Sequence, residues 1–135
     1  MRIFLDTSAY SAFLRGHQEI KQHIQRAEEI WVNAIVLGEL RAGFTRGRQQ
    51  QKNENLLHQF LHSPRVHIAS VNEETAERYA VILNALWKVG KPIPTNDLWI
   101  GASVMQLGLI LVTTDAHFLN ISQIIVRHFP QNSSK

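Results

Sequence analysis

Five short apolar runs punctuate the chain: "IFL" at 3–5, "IWV" at 30–32, "VHIASV" at 66–71, "LILV" at 109–112 and "IIV" at 124–126. Most are continuous rather than alternating, which is the pattern of strands buried on both faces. The segments between them carry helical spacing. "TSAYSAFLRG" predicts a helix closing at Gly16, and "HQEIKQHIQRAEE" a second over 17–29. "AIVLGELRAGF" and the polar "RQQQKNENLLHQFLH" follow the second strand. After the third strand, Asn72 is placed to cap a helix that carries Glu73 and Glu74 in its first turn and ends near Val89, where Gly90 stops it. "KPIPTN" predicts a loop, and "DLWIGASVMQLG" a helix whose Gly108 leads into the fourth strand. Strands separated by helices give a parallel sheet covered on both faces, a three-layer α/β/α sandwich. Ligand sites in such sheets gather at the carboxyl ends of the strands.

A chain of 135 residues, 44% hydrophobic and 19% charged, fits one domain with a core of its own. The expected division is a single domain over 1–130 and a short polar tail over 131–135. The absence of cysteine excludes disulfides and thiolate metal sites. No stretch approaches the roughly 20 apolar residues of a membrane span, and the start lacks a signal-peptide pattern, so a cytoplasmic protein is expected. The formal charge of +3 permits a polyanionic partner. Arg41, Arg46 and Arg48 fall together in "RAGFTRGR", beside Gly43 and Gly47, as a patch suited either to phosphate contact or to a solvated helix end.

The chemistry concentrates in few residues. The chain has three aspartates, each beside a strand or helix junction: Asp6 after the first strand, Asp115 after the fourth, and Asp97 at the start of the helix that feeds the fourth. Any one of them reads as a helix cap. As a set they read differently, because strands one and four, if they are sheet neighbours, would bring Asp6 and Asp115 to the same edge. Glu39 is the fourth acid. It shares a helical face with Val36 and Gly43, where an unpaired carboxylate is costly, and Arg41, two residues on, does not face it. Four converging carboxylates repel one another, and a hard divalent cation resolves the repulsion. An oxygen-only donor set selects Mg²⁺ or Mn²⁺ over zinc. Such an ion activates water and neutralises charge on a phosphoryl group. Thr7, Ser8, Asn96, Thr113 and Thr114 are hydroxyl and amide neighbours suited either to holding the carboxylates or to satisfying local backbone.

"FLDTSAY", the glutamate within "LGELRAG", "PTNDLWIGA" and "LVTTDAHF" resemble the four acidic motifs of the PIN-domain ribonucleases, in particular the VapC-type toxins of toxin–antitoxin pairs. The motifs fall in the right order over nearly the whole chain. The resemblance implies a five-stranded sheet with the first strand central and a Mg²⁺- or Mn²⁺-dependent endoribonuclease acting on RNA. It also implies a homodimer and a cognate antitoxin that covers the acidic groove. Carried over by position, Asp6, Glu39, Asp97 and Asp115 are the metal-binding and catalytic quartet, and Phe118 is core packing. His117, beside it, is the one histidine close to the site and is expected in a surface role.

Glu54, His58 and His62 recur every four residues and line one helix face, but in a Gln- and Asn-rich segment that face is expected to be solvated rather than a zinc site. No His-Glu-x-x-His pattern, Gly-rich phosphate loop or serine nucleophile elbow is present, which excludes those hydrolase classes. A receiver-type phosphoacceptor domain fits less well, since it needs an acidic pair beside the first strand and a lysine after the last, where "IIVRHF" offers Arg127. A non-catalytic nucleic-acid-binding module and a DNA-directed nuclease on the same scaffold are the competing readings.

Overall fold

A computed structural model describes residues 1–131 of the chain. Its five strands are β1 (Arg2–Leu5), β2 (Glu29–Asn33), β3 (Val66–Ala69), β4 (Ile110–Thr113) and β5 (Ile125–His128). Six helices intervene: α1 (Thr7–Leu14), α2 (Gln18–Arg26), α3 (Ala34–Arg46), α4 (Gln50–Leu61), α5 (Glu73–Lys88) and α6 (Thr95–Leu107). A 3₁₀ turn (Ala116–Asn120) precedes β5. The strands form one parallel sheet in the order β3-β2-β1-β4-β5, so the first strand is central, as the family resemblance implies. Ile3, Phe4 and Leu5 are fully buried although consecutive strand residues point to opposite faces, so the sheet is covered on both sides.

The β1–β4 register positions the site. Leu5 lies opposite Val112, and the Asp6 amide donates to the Val112 carbonyl at 3.5 Å. The next residues of the two strands, Asp6 and Thr113, therefore meet where the sheet ends. Local chemistry stops the other elements. Gly16 takes φ +91° after α1, and Gly108 takes φ +63° between α6 and β4, a left-handed turn that a side chain would strain. Asn72 and Thr75 form a reciprocal capping box at the start of α5. Gly101 lets α6 pack closely, since a Cβ there would lie 3.0 Å from Ile121 and 3.5 Å from Ile82.

Three of the boundaries that differ from the sequence reading have a visible cause. Helix α2 stops at Arg26 rather than running to 29, because the next residues join the sheet: Glu28 donates its backbone amide to Met1, and Glu29 pairs with Arg2 across β1–β2. Strand β3 stops at Ala69 rather than 71, since Ser70 already accepts a hydrogen bond from Thr75 at the start of α5. Helix α6 begins at Thr95, behind Pro94 with its φ of −57°, so Asp97 is its third residue rather than its first. Of the expected tail over 131–135, residues 132–135 lie outside the described residues.

Candidate metal centre

Asp6 leaves β1 with extended backbone and caps α1, its Oδ1 accepting from the Ala9 amide at 2.8 Å. The cap does not exhaust the side chain. Ser8 Oγ donates to the carboxylate at 2.8 and 2.9 Å, and Thr113 Oγ1 donates to Oδ2 at 2.6 Å. With 3% of its surface exposed, Asp6 has its pKa pushed up to about 6, chiefly by burial. The hydrogen bonds from Thr113, Ala9 and Ser8 oppose that shift, and the charge of Asp115 adds to it.

Glu39 sits half-buried on α3, and other elements hold both its oxygens. Thr7 Oγ1 donates to Oε1 at 2.5 Å, and Asn96 Nδ2 donates to Oε2 at 3.2 Å. Arg41 turns away to an ion pair with Glu54 at 3.2 Å, so it leaves Glu39 alone. Asp97, in the first turn of α6, also has a raised pKa. Burial is the main cause, the hydrogen bond with His117 opposes it, and the charges of Glu39 and Asp115 reinforce it. Asp115 makes no side-chain cap to the turn it precedes, although its amide donates to Thr113 Oγ1 at 3.0 Å.

Asp6, Glu39, Asp97 and Asp115 thus line a single cavity of about 580 Å³, together with Thr7, Ser8, Asn96 and His117. Thr114 is turned elsewhere. Its hydroxyl accepts from Gln131, and only its backbone amide reaches the site, donating to Ser8 Oγ at 3.1 Å.

His117 corrects the expectation of a surface residue. Its Nε2 lies 2.7 Å from Asp97 Oδ2 and its Nδ1 3.3 Å from Asp115 Oδ1, so the ring bridges the two carboxylates. The sequence signal for it was the Asp-x-His spacing at 115–117, but its direction depends on the 3₁₀ turn, in which the adjacent Phe118 is fully buried. One donor atom from each of Asp97, Asp115 and His117 falls within a common 4.8 Å. Asp6 and Glu39 face the same cavity from outside that trio. Burial and neighbouring charge disfavour ionisation of Asp6 and Asp97, and with Glu39 and Asp115 on the same cavity these oxygens form a donor set that a divalent cation would satisfy.

A second cavity of about 510 Å³ shares Thr7 and Glu39 with the first and runs between α1, α3 and α4. Arg15, Arg46 and Lys52 line it, and among the described residues none of the three has an ion-pair partner. Arg41 and Arg48 are exposed outside its lining. Arg15 and Lys52 escape sequence reading because helix packing alone brings them beside Arg46. The Glu54–His58–His62 face is a solvated one: Glu54 pairs with Arg41, the two histidines are exposed, and their rings meet at a tilt with centroids 4.1 Å apart.

The family model described as PIN domain matches residues 3–124. Ribonuclease VapC4 of Mycobacterium tuberculosis (strain ATCC 25618 / H37Rv) is 24% identical over 95 residues, spanning 70% of this chain and 73% of that protein. VapBC2 from Rickettsia felis, solved with a DNA fragment from its promoter, superposes with a TM-score of 0.82 at 23% identity, covering 96% of this chain and 99% of the other. VapBC-5 from Mycobacterium tuberculosis, a member of the VapBC family of toxin–antitoxin systems, gives a TM-score of 0.72 at 20% identity, covering 96% and 100%.

Proposed function

This chain belongs to the PIN-domain family, and from that premise we propose that it is a metal-dependent endoribonuclease toxin, held inactive by a cognate antitoxin. The observation that carries the reading is the convergence of Asp6, Glu39, Asp97 and Asp115 on one cavity at the carboxyl ends of β1 and β4. The name of the relative VapC4 supports ribonuclease chemistry, and the VapBC assemblies support an antitoxin partner. The catalytic unit is a single domain over 1–130 that works in the cytoplasm and pairs as a homodimer. Among the described residues, no helix is long and apolar enough to cross a membrane.

In this reading the quartet holds Mg²⁺ or Mn²⁺. When bound, the ion generates a water nucleophile at neutral pH and neutralises charge on the phosphoryl group. The chain's own residues do the rest. Thr113 and Ser8 fix the Asp6 carboxylate, while Thr7 and Asn96 fix that of Glu39, so the acids are set before a cation arrives. Arg46, with Arg15 and Lys52, gives the RNA strand flanking phosphate contacts in the second cavity. Arg41, tied to Glu54, and Arg48 contribute at the rim.

The test combines cleavage and growth. Purified protein should cut single-stranded RNA with Mg²⁺ or Mn²⁺ and stop with EDTA. Its expression should arrest bacterial growth, and an antitoxin encoded beside it should relieve the arrest. Metal binding without RNA cleavage would leave a nucleic-acid-binding module, and cleavage confined to DNA would redirect the substrate.

A further inference from the structure

The acidic quartet taken alone offers oxygen donors only, yet the structure places an imidazole within the same few ångströms. His117 approaches Asp97 through Nε2 and Asp115 through Nδ1. Its position is fixed from behind: Phe118 is fully buried, the His117 ring packs against the Phe118 ring at a centroid distance of 4.9 Å, and the Phe118 carbonyl closes the turn by accepting from Ile121 at 3.1 Å. The ring is thus held against Phe118 on one side and the two carboxylates on the other, with 29% of its side chain exposed.

We propose that His117 is a nitrogen ligand of the metal ion, beside Asp97 and Asp115, and that it biases the site toward Mn²⁺ over Mg²⁺. The proposal rests on the metallonuclease reading above and adds a donor that the acidic motifs do not contain. The geometry requires little movement, because one donor atom of each residue already lies within 4.8 Å of the others. The consequence follows from ligand type. Mg²⁺ is a hard ion that takes oxygen and keeps its waters, whereas imidazole suits first-row transition ions. The competing role for His117 is a hydrogen-bonded tether that aligns the two carboxylates without touching the ion. A tether would weaken both metals alike.

Pulsed electron paramagnetic resonance of Mn²⁺-loaded protein separates the two, since only a directly bound nitrogen gives strong hyperfine coupling. Wild type should show that coupling. His117→Gln and the smaller His117→Asn should lose it, and His58→Gln/His62→Gln, which removes the exposed histidine pair on α4, should keep it. In titration calorimetry, His117→Gln should weaken Mn²⁺ by about tenfold or more, at least the loss that an outer-shell partner causes, while Mg²⁺ changes far less. Wild type without nitrogen coupling, coupling that persists in both His117 variants, or equal losses for the two metals would each overturn the proposal. The outcome is independent of RNA. Nitrogen coupling in a protein that cuts no RNA sinks the ribonuclease reading alone, and metal-dependent cleavage without the coupling sinks this one alone.

Discussion

The Thr113 hydroxyl donates to Asp6 Oδ2 at 2.6 Å across the β1–β4 pair, and the same oxygen accepts the Asp115 amide at 3.0 Å. One side chain at the end of β4 therefore sets two of the four acids. Thr113 is fully buried, so no water can replace it without rearrangement. Thr113→Val should destabilise the fold by about 1–3 kcal/mol, the cost of leaving buried polar groups short of a partner. It should also raise the Asp6 pKa above about 6, because Thr113 is the largest influence opposing burial. A carboxyl NMR titration of the variant reads the shift, and an unchanged Asp6 titration would contradict the assignment.

The raised Asp6 pKa makes apo stability depend on pH in an unusual direction. The folded state binds this proton more tightly than the unfolded chain, with a pKa of about 6 against an ordinary value of 3.8. The protonated acid thus stabilises the fold fully below about pH 3.8, and that contribution is lost as pH rises through about 6. The shift corresponds to about 3 kcal/mol at most. Melts in EDTA between pH 4 and pH 7 should show wild type losing stability relative to Asp6→Asn, which keeps the cap. A gap that stays constant with pH would refute the linkage.

Metal should reverse that loss selectively. In EDTA, Asp97→Asn and Asp115→Asn should be at least as stable as wild type, because each removes a repelling charge. In Mn²⁺ at a hundredfold excess over the dissociation constant, wild type should gain about 2.7 kcal/mol and the variants less. Equal shifts in all three proteins would mean that the carboxylates do not share an ion. The same variants should cut RNA at least about a hundredfold more slowly than wild type, beyond the usual cost of losing an outer-shell partner.

The groove cations make a separate prediction about salt. In the slow-cutting Asp97→Asn background, Arg15→Gln, Arg46→Gln and Lys52→Gln should each weaken single-stranded RNA binding. Each should also flatten the slope of log affinity against log salt concentration by about 1. Arg41→Gln should alter the slope less, since Glu54 already neutralises that arginine. An unaltered slope in all of the groove variants would remove the phosphate track.

Much of this architecture is legible in the sequence, for reasons that also mark where legibility stops. The five apolar runs sit where the strands form, because a strand buried on both faces has no polar alternation to blur its signal. Asp6 and Asp115 were expected to share an edge if strands one and four were neighbours, and the β1–β4 pairing meets that condition. The overrun of α2 to residue 29 has a tertiary cause, since Glu29 is a helix former that the β1–β2 pairing with Arg2 claims for the sheet. The role of His117, though it was placed near the site, was missed for the same kind of reason: a histidine two residues after an acid faces the site or the solvent according to how the 3₁₀ turn packs Phe118. The neighbours of Arg46 in the groove were invisible because α1 and α4 meet α3 only in three dimensions.

The central place of β1 also orders events in time. It pairs with β4 as Ile3 with Ile110, so the contact that seats Asp6 beside Thr113 spans most of the chain. Long-range strand pairing is slow to close, because its loop entropy must be met before the contact can reward it. During synthesis β1 and β2 can meet early, but Asp97, Asp115 and His117 are added only after most of the polypeptide has been made. The cavity that Asp6 and Glu39 line is therefore incomplete until the fourth strand has docked, and the completed sheet, rather than any single helix, is what assembles it.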